Sequence, residues 1–188
     1  MLFVRHATAP GMRAARFPAE EDADAADLAR AAALGPALAA TVAWAWAWAA
    51  PARAARQTAA ALGLDARIVP ALAEADCGRW RGLPYERVAR EEPDALASWL
   101  SDPHAAPHGG ESRAALAIRV AAWLDSVREE PGGVVVCDAG AIRAALGHAL
   151  GLDPPAAGRI DLAPLSTTEL AVTREGWRVA HVNRKVLS

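Results

Sequence analysis

Cysteine is scarce in this chain. Cys77 and Cys137 are the only two, neither has a CxxC partner, and two isolated thiols cannot build a disulfide framework. A reducing cytoplasm is the expected compartment, and the start MLFVRHATAP shows no apolar core of signal-peptide length behind a basic segment. Net charge is nearly absent as well: the formal value of -2 provides no long-range field favouring nucleic acid or an anionic membrane, so any anion site has to be local. Lysine is almost missing. Arg supplies every basic residue except Lys185, a bias that accompanies the many Ala codons of a GC-rich genome and points to a bacterial source. Charge is also missing from Ala31 to Ala52, a stretch long enough to cross a bilayer. Ala supplies most of it and adds little transfer energy, Gly35 and Pro36 interrupt it, and Arg30 and Arg53 flank both ends instead of one. No membrane span is therefore expected, and a peripheral membrane role rests on that stretch alone. Metal ligation is not indicated either, because His104 and His108 sit in a Pro/Gly loop without Cys or a third ligand. They read as exposed loop histidines, and no cofactor is expected.

What is present suits one folded domain, residues 1–188. Hydrophobic residues make up 53% and charged residues 22%, enough apolar surface for a core and too little charge for disorder. Met1 to Val4 is a short apolar run ending at Arg5-His6, the pattern of a buried strand opening into a loop over residues 7–22. Asp24 to Thr41 reads as a helix with a kink or early stop at Gly35-Pro36. Val42 to Ala50 alternates Trp44, Trp46 and Trp48 with Ala, so period two predicts a strand with three indoles on one face. Pro51 suits the first turn of a helix to Leu62, stopped by Gly63. Ile68-Val69 is a short strand, and Pro84 to Leu100 is helical with a restart at Pro93. Ser112 to Arg128 is an amphipathic helix, Val134 to Cys137 a buried strand, and a further helix runs from Asp138 to Leu150. Leu170 to Val182 alternates like a hairpin turning near Glu175-Gly176. Strands alternating with helices predict a three-layer α/β/α sandwich around a mostly parallel central sheet, with its site beyond the C-terminal strand ends.

Two of those strand ends carry chemistry. Arg5 and His6 offer a guanidinium for phosphate oxygens beside an imidazole nucleophile, and Asp138 follows the Val-rich strand. The chain resembles the histidine phosphatase superfamily, also called phosphoglycerate mutase-like, along nearly its whole length. FVRHATAP at residues 3–10 resembles the opening strand and RHG signature, with Ala7 in place of Gly. APARAARQTAAAL from Ala50 is similar to the SPLxRAxQTA segment, and Leu72 to Leu83 to the LxExDxGxWEG element. HGGES at residues 108–112 resembles a GGES segment, VVVCDAGAIRAAL from Val134 resembles VVxHGGxIRxLL, and the chain's end fits the closing hairpin.

The resemblance implies that His6 attacks phosphorus in line, that Arg5 clamps phosphoryl oxygens, and that Glu74 protonates the leaving alcohol. Asp76 is a nearby competitor for the last role. Two positions depart from the pattern. The second phosphate-binding Arg falls on Ala54, with Arg53 as a flanking substitute displaced by about 100° around a helix. The second catalytic His falls on Asp138, which contributes the opposite charge when ionised. Losing one preorganised donor typically costs about 100 to 1,000-fold in rate, and a unit charge about 4 Å from a phosphate oxygen opposes it by about 4 kcal/mol at an effective dielectric of 20. A protonated Asp138 would instead be a neutral donor, active on the acid side. Arg143 reads as a structural cation.

The expected function is thus phosphomonoester hydrolysis with weak or impaired turnover on a phosphorylated small molecule. The short chain and the Trp99 to Ser112 region resemble the small phosphatases, including the alpha-ribazole phosphatase branch, more than glycolytic mutases. The alternative is a catalytically inactive phospho-ligand or protein-binding module.

Overall fold

The protein is described by a computed structural model covering residues 1–41, 45–130 and 132–185. Strand β1 (Leu2–Arg5) leads through a short helix α1 (Pro10–Arg13) and the long α2 (Ala25–Thr41) to β2 (Trp46–Ala49), α3 (Arg53–Ala61) and β3 (Arg67–Ile68). Two single-turn 3-10 segments, Pro70–Leu72 and Gly78–Trp80, precede α4 (Tyr85–Glu91), α5 (Pro93–Ser101) and α6 (Arg113–Ser126). Then come β4 (Gly133–Cys137), α7 (Ala139–Leu150), a short α8 (Pro154–Ala157) and the hairpin of β5 (Ser166–Thr173) and β6 (Gly176–Lys185).

One sheet has the order β3-β2-β4-β1-β5-β6. The first four strands in that order pair in parallel, and β5 and β6 add antiparallel pairings at one side. Val134, Val135 and Val136 point alternately to opposite faces of β4, yet all are fully buried, so both faces of the central strand are covered. That is the three-layer arrangement expected from the run of apolar residues. Among the helices α2 packs with α3, α4 with α5, and α6 with α7, and the short α8 joins the last pair.

Several local readings change. The loop after β1 contains α1, and α2 continues through Pro36 to Thr41. Gly35 lies where a Cβ would come within 2.8 Å of the Leu62 carbonyl oxygen, so its place in α2 is explained by close approach to the end of α3. The Trp/Ala strand is shorter than its alternation suggests, and the portion at Val42 to Trp44 lies outside the described residues. Trp46 and Trp48 share a face, but Trp46 is 43% exposed and Trp48 only 4%. Trp48 packs edge-on against Trp123 at 5.8 Å and over Gly133, where a Cβ would fall 2.0 Å from the indole. Among the described residues no helix is long and apolar enough to cross a membrane.

His108 overturns its expected exposure. It is 2% exposed, with its ring 5.0 Å from that of Trp80 and 6.5 Å from that of Trp99. The Gly-rich segment beside it explains why: a Cβ on Gly110 would lie 1.9 Å from the Asp76 carbonyl oxygen, so two loops cross with backbone in contact. That crossing draws the His108 ring under the aromatic cluster. His104 remains exposed.

Candidate active site

Parallel pairing sets Arg5 opposite Cys137, and His6 N donates to the Cys137 carbonyl at 3.1 Å. The residues after β1 and β4 therefore leave the sheet together. His6 Nε2 lies 3.0 Å from Asp138 Oδ1, while His6 Nδ1 lies 2.6 Å from the Ala7 carbonyl oxygen. A carbonyl can only accept, so Nδ1 carries a proton and donates. The contact between Nε2 and a carboxylate oxygen then requires a second proton, held on either partner. Burial is the largest influence on His6 and disfavours its charge. The hydrogen bond and charge of Asp138, helped by the Ala7 carbonyl, outweigh it and raise the imidazole above its ordinary range.

Asp138 is the residue preceding α7, a position where Asp normally accepts from the first-turn amides. Its side chain makes no such cap, because Oδ1 is turned to His6. Its buried Oδ2 has no partner among the described residues.

Glu74 reaches the same place from the other side. Its Oε2 accepts from Gly140 N at 2.9 Å and its Oε1 from Ala75 N at 2.9 Å. Gly140 is required here, since a Cβ would sit 2.0 Å from the carboxylate. Burial raises the Glu74 carboxyl above its usual range, and the Asp138 charge adds to the rise against the two amides. The segment before Glu74 is tied down by Arg119, which donates to the carbonyls of Ala71 at 2.8 Å and Ala73 at 3.2 Å. Glu111 of the HGGES segment pairs with the same guanidinium at 2.6 Å, so it acts on the site through Arg119. Asp76, the competing carboxylate, is exposed and bound to Gly78 N and Arg81.

Arg5 turns a half-buried guanidinium toward the cavity. It donates to the Leu162 carbonyl, and its buried Nε has no partner among the described residues. Burial and then the neighbouring Arg143 lower its pKa, so two guanidiniums stand close enough to oppose each other. Arg143 Nε donates to the Ile160 carbonyl at 2.9 Å, and its side chain lines the cavity with Arg5, Glu74 and Gly140. Sequence reasoning set Arg143 aside as structural. The available signal was its isolation as the one arginine in a helix otherwise built from Ala, Gly, Ile, Leu and His.

Arg53 is elsewhere. Its exposed side chain faces Glu20 and Asp22 at 3.4 Å, and it does not line the cavity. Ala54 is buried, 4% exposed. The one-residue displacement therefore sends Arg53 outward, as the helical turn dictates. The neighbouring Gln57 and Thr58 hold the loop after β1: Thr58 Oγ1 accepts from Ala7 N at 2.9 Å and donates to the Ala54 carbonyl at 2.6 Å, while Gln57 Oε1 accepts from Ala23 N at 2.8 Å. Arg5, His6, Glu74 and Asp138 are thus brought together. Arg5 and Glu74 line a cavity of about 580 Å³; His6 and Asp138 sit beside it, next to Arg5 and Ala139 of its wall. No group of His, Cys, Asp and Glu fit to hold a metal occurs among the described residues.

A profile described as the histidine phosphatase superfamily (branch 1) matches residues 1–185. The chain is 37% identical over 98 residues to glucosyl-3-phosphoglycerate phosphatase of Mycobacterium tuberculosis, an overlap of 47% of this chain and 44% of that relative. The match thus spans less than half of that relative's length. A protein of the same name from Mycolicibacterium vanbaalenii is 32% identical over 128 residues, 63% of this chain and 55% of the relative. Among solved structures, a mycobacterial glucosyl-3-phosphoglycerate phosphatase with inorganic phosphate superposes with a TM-score of 0.80 at 26% identity over 99% of this chain and 97% of that one. The alpha-ribazole phosphatase of Shigella flexneri shares the fold, with a TM-score of 0.87 at 17% identity over 100% of this chain and 97% of that one.

Proposed function

Because the chain belongs to the histidine phosphatase superfamily, branch 1, we propose that it hydrolyses phosphomonoesters through a phosphohistidine formed on His6. The observation that carries this is the meeting of Arg5, His6 and Glu74 at the mouth of β1, beside a cavity. Nδ1 donates to Ala7, so Nε2 is the attacking nitrogen. It forms the N–P bond as the ester P–O bond breaks, and Glu74, whose carboxyl is raised above its usual range by burial, gives its proton to the departing oxygen. Water then attacks phosphorus, its proton passes to the Glu74 carboxylate, and phosphate leaves with His6 restored.

Asp138 limits this cycle. The proton shared with Nε2 has to move onto Asp138 before the nitrogen lone pair is free. A protonated Asp138 also admits a phosphate dianion that its carboxylate would repel. The Glu74 proton favours the acid side, whereas His6, raised above its ordinary range, keeps its Nε2 proton there, so the two groups oppose each other as pH falls. Turnover is therefore weaker than the Arg-His pair alone would support. The Nε2 to Oδ1 contact is also what favours a second reading, in which the site binds phosphorylated ligands without turnover.

An aryl phosphate assay across about pH 4 to 8 separates the two readings. The natural chain should exceed His6→Ala by at least about 1,000-fold at its optimal pH. Equal rates for the two, with turnover appearing only on the double change Ala54→Arg plus Asp138→His, would establish the binding module instead.

A further inference from the structure

The phosphoryl-handling end is only one end of the cavity. Beyond Glu74 and Arg143 its walls include small residues of two helices, Ala117 and Ala121 on α6 and Ala144 and Gly147 on α7, joined by Leu152 and Ala157. Small side chains on both helices leave a trough that larger ones would fill. At its rim Ile118 is 69% exposed and Leu152 38%, so apolar surface continues to the opening.

What the wall lacks is equally informative. Among the described residues lining the cavity there is no serine, threonine, asparagine, glutamine or aspartate side chain. The rim arginines are partly engaged: Arg113 donates to the Leu100 carbonyl at 3.0 Å and lies 5.5 Å over the Trp99 ring, though its Nε has no partner among the described residues, and Arg16 reaches the Gly82 carbonyl at 3.4 Å. Away from the arginines and Glu74 the polar side chains on the wall are few, chiefly Tyr85 and His148, and His148 is already bonded to Asp125 at 2.8 Å. A sugar body entering this trough would therefore leave most of its hydroxyls without partners, each weakening binding about five- to hundredfold. An apolar body gains about three- to fourfold for every methylene it buries.

We infer that the ligand is an amphiphilic phosphomonoester, its phosphoryl group at Arg5 and Arg143 and its hydrocarbon or aryl body in the trough between α6 and α7. This rests on the proposal that the site handles phosphomonoesters. A glucosyl ester, as in the names of the mycobacterial relatives, is a poor match for these walls.

Titration of the full chain with propyl-, hexyl- and nonylphosphonate tests this without turnover, since the P–C bond is not hydrolysed. A glucosylphosphonate and a short aryl phosphate assay are run alongside, all below micelle-forming concentrations. Affinity should climb about three- to fourfold per methylene until the trough is full. Ala121→Asp should flatten that climb, and Ala121→Leu, which fills the trough with an apolar group and keeps the fold testable, should make it level off at a shorter chain. Equal affinity across the alkyl series, or tighter binding of the glucosyl compound, overturns the inference. If the short aryl phosphate is still hydrolysed in that case, the phosphatase proposal stands alone. A climbing series with no hydrolysis of any ester would keep the trough and remove the phosphatase.

Discussion

β1 and β4 run side by side in parallel, Arg5 opposite Cys137, and deliver their next residues to one place with opposite chemistry. β1 ends on a guanidinium and is followed by an imidazole braced by backbone. His6 is anchored through the Ala7 carbonyl, and Ala7 itself through Thr58. After β4 comes a carboxylate that forgoes its helix cap and turns to that imidazole. The difference teaches that two strand ends of opposite charge can share one site, because the 3.0 Å contact between Nε2 and Oδ1 holds a proton between them. Chemistry then depends on where that proton sits.

The comparison can be broken most severely at the group facing both strand ends. Glu74→Gln keeps an acceptor for the Gly140 amide but removes the transferable proton. Hydrolysis of an alkyl phosphate should fall about 100 to 10,000-fold, and that of an activated aryl phosphate far less, because its leaving group needs no acid. Equal losses for both esters in steady-state assays would remove Glu74 as the acid. Making the β4 end resemble a cation, Asp138→His should raise kcat/KM at about pH 7.5 by roughly 100-fold and shift the pH optimum. An unchanged pH profile would show that Asp138 does not govern it.

Asp138→Asn sharpens the contrast without adding charge. Since Asp138 raises the pKa of His6, the stability it contributes is fully present below the ordinary imidazole value and is lost as pH rises through the raised one. Chemical denaturation should show the natural chain more stable than the Asn variant by about 1–3 kcal/mol on the acid side, with the gap closing as pH rises. NMR titration should place the His6 pKa lower in the variant. The smallest effect is expected at Arg53→Ala. Its ion pairs are exposed, so stability should change by no more than about 1 kcal/mol and kcat/KM by about twofold or less. A loss of hundredfold would return Arg53 to phosphate binding.

The sequence made the strand ends readable because buried strands are short, continuous apolar runs that stop where polar chemistry starts. Met1 to Val4 and Val134 to Cys137 both have that form, and they delivered Arg5, His6 and Asp138 to one edge. Arg53 was harder because a helix turns each residue by about 100°, and only packing reveals that Ala54 faces inward. His108 was misread because loop composition says nothing of two backbones crossing at Gly78 and Gly110. The trough was illegible for a related reason: alanine is common on every face of these helices, so the grouping of small residues from α6 and α7 exists only in three dimensions. Arg143 lay within a familiar motif, yet its closeness to Arg5 depends on residues far along the chain.

Those residues are Ile160 and Leu162, whose carbonyls hold Arg143 and Arg5 respectively. Two positive charges that repel each other are thereby leashed to the same few backbone atoms between α8 and β5. That stretch works as a ruler: its length fixes the spacing between the guanidiniums, and one inserted or deleted residue there would re-gauge both at once. Neither arginine can be retuned by drift in this turn without carrying the other with it.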